Sequence, residues 1–172
     1  MKKYLILALV CLSANLYASK IVSKERNFFD KILISKTVED KINGRFDYEK
    51  ELAVVSDQKF SKISSEEDAQ QGLYSIITSY AYEDLKEYLN RANLVGPGFN
   101  EYQMSIFSKD VANKVINQEL YTVAGVWQDT KTKNYYTLLK IEKSKIEQYD
   151  KEIFKERLAK IIQELKKLKE GI

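Results

Sequence analysis

The side chains that could do chemistry in this chain are almost all carboxylates and hydroxyls. Its 172 residues include no histidine and a single cysteine, Cys11. The chain therefore lacks the commonest general base and the commonest ligand of transition metals. Acidic residues are clustered at Glu66–Asp68 and at Glu83–Asp84. Glycosidases use a pair of carboxylates as their catalytic groups. Both clusters fall in segments with helical periodicity, where acidic side chains usually face solvent. We therefore expect that the protein is not an enzyme and has no catalytic residue.

No cofactor motif accompanies these acids. The sequence has neither a GxGxxG nor a GK[ST] phosphate loop, and Gly96–Gly98, the strongest helix breaker, is interpreted as a plain loop. We expect no cofactor and no metal. The chain has 28 basic and 25 acidic residues, and without Lys2 and Lys3 the basic count falls to 26. A balance this close to neutral, with no basic block, argues against nucleic acid as a partner.

The amino terminus predicts export. Lys2 and Lys3 precede an apolar run from Tyr4 to Leu12, and the exit Leu16–Ala18 ends on the small residue Ala18. This layout is typical of a secretory signal peptide. The run is also shorter than the roughly 20 residues that span a bilayer. We expect residues 1–18 to be cleaved and the remaining chain to lie in the periplasm with no transmembrane span.

Cys11 lies inside that apolar run. After cleavage the chain would have no cysteine, so its fold must depend on a buried core instead of disulfides. A cysteine that receives a lipid needs a small residue before it, whereas this chain has Val10. We favour an ordinary apolar position in the signal peptide, with lipidation as the open alternative.

The periodicity of the remaining chain predicts an α+β fold. We expect a small antiparallel sheet with a carboxyl-terminal hairpin, covered by two to three helices and closed by a long helix. Residues 49–172 would form one such domain, and residues 19–48 either an amphipathic helix or an arm that docks on a neighbouring subunit. The predicted strands are Glu51–Phe60, Leu120–Gln128 and Asn134–Glu142, the last two joined as the hairpin.

Capping patterns predict where the helices start. The first helix should open with a capping box, either Ser64 with Glu67 or Ser65 with Asp68, and run to about residue 90. Ser108 would cap a second, shorter helix that ends near residue 118. A box of a serine at 144 and a glutamate at 147 would open the longest helix. That helix carries an apolar seam in steps of four and three, which predicts packing on the sheet or contact with a neighbour: Phe154, Leu158, Ile161, Leu165 and Leu168.

The hairpin and the first helix carry a recognisable pattern. A small or apolar strand, Val123–Trp127, is followed by a polar turn with Asp129 and by Tyr136–Leu139, while the helix opens with Glu67–Ala69 and Leu73. In this order of elements the chain resembles the LPP-twenty-type outer-membrane lipoproteins, a family that includes the flagellar protein FlgP. The amino-terminal domain of FlgT is similar. The resemblance implies a non-enzymatic envelope protein that forms rings or disks around a flagellar motor.

Two functions remain after these exclusions. The first is a periplasmic structural or assembly protein that binds itself or other motor or envelope proteins. The second is a periplasmic binding protein or chaperone, with a groove beside the tryptophan and the tyrosine pair of the hairpin. Tyrosine and tryptophan are enriched at protein interfaces. The candidate interface residues are Trp127, Tyr135, Tyr136, Tyr149, Leu165 and Leu168.

Overall fold

The computed structural model describes residues 21–22, 41–92, 100–129 and 132–170. The signal peptide with Cys11, most of the segment 19–48 and the Gly96–Gly98 loop lie outside the described residues. So do the side chains of Ile161, Leu165 and Leu168 on the predicted seam. Among the described residues, no helix combines the length and the apolar character that a membrane span needs.

The described residues confirm the α+β class. They form β1 (Ile21–Val22), β2 (Glu51–Val55), α1 (Lys62–Arg91), α2 (Glu101–Asn117), β3 (Thr122–Gln128), β4 (Tyr135–Glu142) and α3 (Lys143–Glu170). The closing helix is long, as predicted, but α1 with 30 residues is longer than α3 with 28. The prediction that the closing helix is the longest is therefore wrong.

The strands form one antiparallel sheet in the order β1-β2-β4-β3. The hairpin of β3 and β4 is confirmed, and Trp127 pairs with Tyr136 across it. The register shifts between Val123 and Gly125, so Ala124 forms a bulge. Strand β2 is shorter than predicted: it ends at Val55, and beyond it Lys59 forms an isolated bridge with β4.

The helices start earlier than predicted. Helix α1 starts at Lys62, and the Ser61 hydroxyl accepts a hydrogen bond from the Ser64 amide at 3.1 Å, so neither predicted capping box opens it. Helix α2 starts at Glu101, capped by Asn100. A reciprocal capping box joins that asparagine to Gln103, which is why the predicted cap at Ser108 is wrong: Ser108 lies inside the helix. Helix α3 starts at Lys143, directly after β4.

The chain divides into two compact units. The first contains the four strands and α1 as far as Leu73, and the second contains the rest of α1 with α2 and α3. In the first unit one face of the sheet packs against Ile42 and Phe46, which join Ala53, Val55 and Leu138 in a buried cluster. On the other face, Ser65 of α1 contacts the Thr137 hydroxyl of β4 at 2.7 Å. Burial of these apolar side chains stabilises the sheet, because removing apolar surface from water favours the folded state.

The second unit is a packed group of helices. The Phe154 ring of α3 lies 6.1 Å from Tyr88 of α1 and 6.0 Å from Phe107 of α2. Two ion pairs join α2 to α3: Asp110 with Arg157, and Lys114 with Glu152 at 2.7 Å. Helix α3 therefore uses the first part of its predicted seam to pack on neighbouring helices of its own unit.

Candidate functional site

Three of the predicted interface residues lie together on the hairpin. Trp127 and Tyr136 are cross-strand partners, and Tyr135 follows in register opposite Gln128. Trp127 and Tyr136 are partly buried against the cluster that covers one face of the sheet. Burial and the charge of Asp129 raise the pKa of Tyr136, so its hydroxyl stays protonated over a wide pH range.

Trp127 is held by contacts within its own unit. Its ring lies so close over Gly125 that an added Cβ there would come within 2.5 Å of the ring. The Arg45 guanidinium carbon lies 5.4 Å from the ring centre, and Arg45 Nη1 donates to the Ala124 carbonyl at 3.3 Å. A cation over an indole is favourable. These contacts support a packing role for Trp127, and its role in an interface stays a prediction.

Tyr149 packs within the helical unit. It is half-buried, and the Lys114 ammonium lies 4.9 Å from the centre of its ring. The same ammonium pairs with Glu152, so one lysine joins a ring and a carboxylate of α3 to helix α2. The side chains of Leu165 and Leu168 lie outside the described residues, and their contact with a partner stays a prediction.

Two of the three most exposed large hydrophobic side chains among the described residues lie where the chain enters α1. Phe60 is 93% exposed and Ile63 is 71% exposed, and we call this pair the apolar corner. Sequence reasoning missed both residues, because Phe60 was assigned to the end of a predicted strand and Ile63 falls before the predicted helix start. The signal that could have found them is a pair of large apolar residues on either side of the serine cap.

The backbone on both sides of the apolar corner is fixed. The Tyr135 amide donates to the Lys59 carbonyl at 2.7 Å, and the Lys59 amide donates back at 3.1 Å. The Lys59 ammonium also pairs with buried Asp68 of α1 at 2.9 Å. Asp68, predicted to be a solvated acid, therefore has a structural role. The backbone that carries Phe60 is therefore already held in place in the absence of a partner.

A buried hydroxyl network lies behind this entry to α1. The Ser65 hydroxyl donates to the Lys62 carbonyl at 2.7 Å. Because its one proton is used there, the Thr137 hydroxyl must donate to Ser65. The Thr137 amide in turn donates to the Ser56 hydroxyl at 3.0 Å. These polar groups are all satisfied, so the network joins β2, β4 and α1 without leaving a reactive group.

The second unit contains a group of carboxylates between α1 and α3. The Tyr80 hydroxyl donates to Glu147 at 2.8 Å, and burial, that hydrogen bond and the Glu147 charge raise the pKa of Tyr80. Burial, followed by the charge of Glu147, also raises the pKa of Asp84. Asp150 is only 4% exposed, and its Oδ1 has no hydrogen-bond partner in the described structure. Burial, followed by the charge of Asp84, raises the pKa of Asp150 to about 7.

A carboxyl whose pKa is raised toward neutral pH is a group that acid–base catalysis can use. Asp150, however, is only 4% exposed, which disfavours direct contact with a substrate. Within the described ranges, no group of three or more possible ligands is placed to hold a metal ion. The apolar corner is therefore our candidate site. No family model, curated protein or solved structure matches this chain.

Proposed function

We propose that this protein is a non-enzymatic component of a bacterial envelope assembly and that it binds another protein through the apolar corner. The observation that carries the proposal is the exposure of Phe60 and Ile63, 93% and 71%. Single exposed apolar residues are ordinary on protein surfaces. Two large ones only three residues apart, next to backbone that is held by hydrogen bonds, are the kind of anchor that fills a partner's pocket.

The fixed backbone around the corner favours binding. Association loses free energy when loops and side chains must become ordered at the interface. Here the Lys59 bridge and the Ser61 cap already order the chain on both sides of Phe60. Most of the burial of the phenylalanine ring would therefore contribute to affinity.

The proposed setting comes from the amino terminus and from the resemblance. Residues 1–18 have the layout of a signal peptide, which supports a periplasmic location, at the outer membrane or the base of the flagellum. The resemblance to LPP-twenty-type proteins, carried by the hairpin pattern Val123–Trp127 and Tyr136–Leu139, supports a flagellar motor disk, scaffold or related complex. The partners would be copies of this chain or other motor and envelope proteins.

The contacts of Trp127 favour assembly over the binding-protein alternative. A ligand groove beside the hairpin would need an accessible indole ring, whereas this ring packs on Gly125 and lies under Arg45. A small client would have to displace the guanidinium first. The apolar corner needs no such rearrangement.

Crosslinking in cells, with an affinity tag at the carboxyl end, tests the proposal. The wild type is compared with Phe60→Ser/Ile63→Ser, and with Tyr102→Ser as the matched control, because Tyr102 is 73% exposed in the other unit. We expect mass spectrometry to find disk, ring or stator-scaffold proteins with the wild type and the control, and several-fold less with the double variant. The same captured set from all three proteins, or secreted clients alone, would refute the proposal.

A further inference from the structure

We infer that the occupant of the apolar corner is a second copy of this chain, packed antiparallel along the first turns of α1 around a twofold axis at Ser64. The inference rests on the proposed function, since it assigns a partner to the same surface. A twofold interface uses one patch on both copies, so the patch must be complementary to itself. The first turns of α1 are complementary to themselves in two ways: they pair opposite charges and they bring apolar side chains together.

The charges are arranged as a twofold interface requires. Lys62 and Glu66 lie four residues apart, on the same side of α1. With the axis at Ser64, Lys62 of one copy is level with Glu66 of the second copy, and the reverse pair forms by symmetry. Within the described part of the chain, neither side chain forms an ion pair, hydrogen bond or ring contact. A lysine that precedes a glutamate by four residues is also the weaker order for pairing within one helix.

One apolar side chain, Ile63, lies between these two charges along the sequence, and the other, Phe60, precedes them. Ile63 is one residue from the proposed axis, a rise of about 1.5 Å along the helix. The two isoleucines would therefore meet directly across the axis. Phe60, on the turn before α1, would extend the apolar contact outward from both ends. Packing the two copies removes from water two large apolar side chains that the single chain leaves 93% and 71% exposed.

The small size of the patch determines the affinity that we expect between the two copies. A contact built on the first turns of one helix buries less than the roughly 1,200 Å² that is typical of stable complexes. We therefore expect a dimer that forms between micromolar and millimolar protein and depends on concentration. A twofold contact closes at two copies, but a contact this weak still forms in a ring or disk whose other contacts hold the copies at high effective concentration.

Charge reversal tests the pairing directly. Sedimentation velocity over a range of protein concentrations should show a monomer–dimer equilibrium for the purified chain. Lys62→Glu and Glu66→Lys should each weaken the dimer by about tenfold, because two attractions become two repulsions. The double variant Lys62→Glu/Glu66→Lys restores opposite charges and should return to within about threefold of the wild type. Lys109→Glu, an exposed charge on α2, is the control and should change nothing.

Loss of folding is separated from loss of the dimer. Lys62→Glu places an acid in the first turn of α1, where the helix dipole favours it, so circular dichroism should stay unchanged. A chain that is monomeric at all concentrations, single variants that dimerise normally, or a double variant that fails to recover would each overturn the inference. If the chain is monomeric yet envelope proteins still crosslink through Phe60, only the second copy is wrong. If it dimerises but joins no envelope complex, the proposed function fails and the dimer stands.

Discussion

Replacing Asp150 with asparagine should stabilise the helical unit at alkaline pH and leave its stability almost unchanged at pH 5. Asp150 is 4% exposed and its Oδ1 has no partner in the described structure. Burial and the charge of Asp84 raise its pKa to about 7, while Lys151 lowers it only partly. The folded protein therefore binds this proton more tightly than the unfolded chain does. The stabilising effect of the proton is complete below pH 4 and is lost as the pH rises through 7.

The magnitude follows from the two pKa values of Asp150. The interval from 3.8 to about 7, at about 1.4 kcal/mol per pH unit, corresponds to roughly 4 kcal/mol of lost stability above pH 7. Asparagine carries no charge, but its buried amide needs hydrogen-bond partners, which offsets part of the gain. We expect Asp150→Asn to be about 1–3 kcal/mol more stable than the wild type at pH 9. At pH 5 the unfolded carboxyl is already ionised, so the wild type has lost about 1.7 kcal/mol of the stability that it has below pH 3.8. The cost of the buried amide offsets this loss, so the difference at pH 5 should be near zero.

Urea unfolding followed by circular dichroism at pH 5, 7 and 9 measures this difference. Asp110→Asn is the matched control, because Asp110 is partly exposed and paired with Arg157. That variant should be no more stable than the wild type at any of the three pH values. An Asp150→Asn variant whose stability relative to the wild type is the same at pH 5 and pH 9 would show that the carboxyl is not held protonated by burial.

Three further substitutions test the packing of the two units. Gly125→Ala would bring a Cβ within 2.5 Å of the Trp127 ring, so we expect a loss of about 1–3 kcal/mol and a shifted tryptophan emission; unchanged emission would contradict this contact. Thr137→Val removes the donor to Ser65, and urea unfolding should show a loss of about 1–3 kcal/mol; a neutral result would mean the hydroxyl network adds no stability. Phe154→Ala removes a ring packed between two others, for an expected loss of about 3–5 kcal/mol, and a loss below 1 kcal/mol would show that the site is not close-packed.

The sequence predicted the elements whose pattern is local. The hairpin is an example, since alternating aromatic and β-branched residues on both sides of a polar turn favour paired strands whatever surrounds them. The bulge at Ala124 was not predictable in this way, because it depends on where the Trp127 ring packs. The start of α2 was missed for a different reason. Asn100 and Gln103 form the capping box, whereas the sequence-based prediction placed the cap at Ser108 because serine is also a common cap residue.

The candidate site was less accessible to sequence reasoning than the fold. A large aromatic residue such as Phe60 is expected inside a protein, and only the folded backbone shows that it points outward. Asp150 is the reverse case. It lies on the buried side of α3 with Ile146 and Ile153, but its charge predicts a solvated position. The exposure of Phe60 and the burial of Asp150 both depend on tertiary contacts, which the periodicity of a single segment does not reveal.

The most direct measurement of the central claim is photocrosslinking in living cells from a light-reactive residue placed at position 60. The matched probe is the same residue at position 102, which is also highly exposed in the wild type. The proposed assembly role predicts adducts with envelope proteins or with a second copy from position 60, far fewer from position 102, and their loss when Ile63→Asp is added. No adduct from position 60, or equal adducts from both positions, would contradict it.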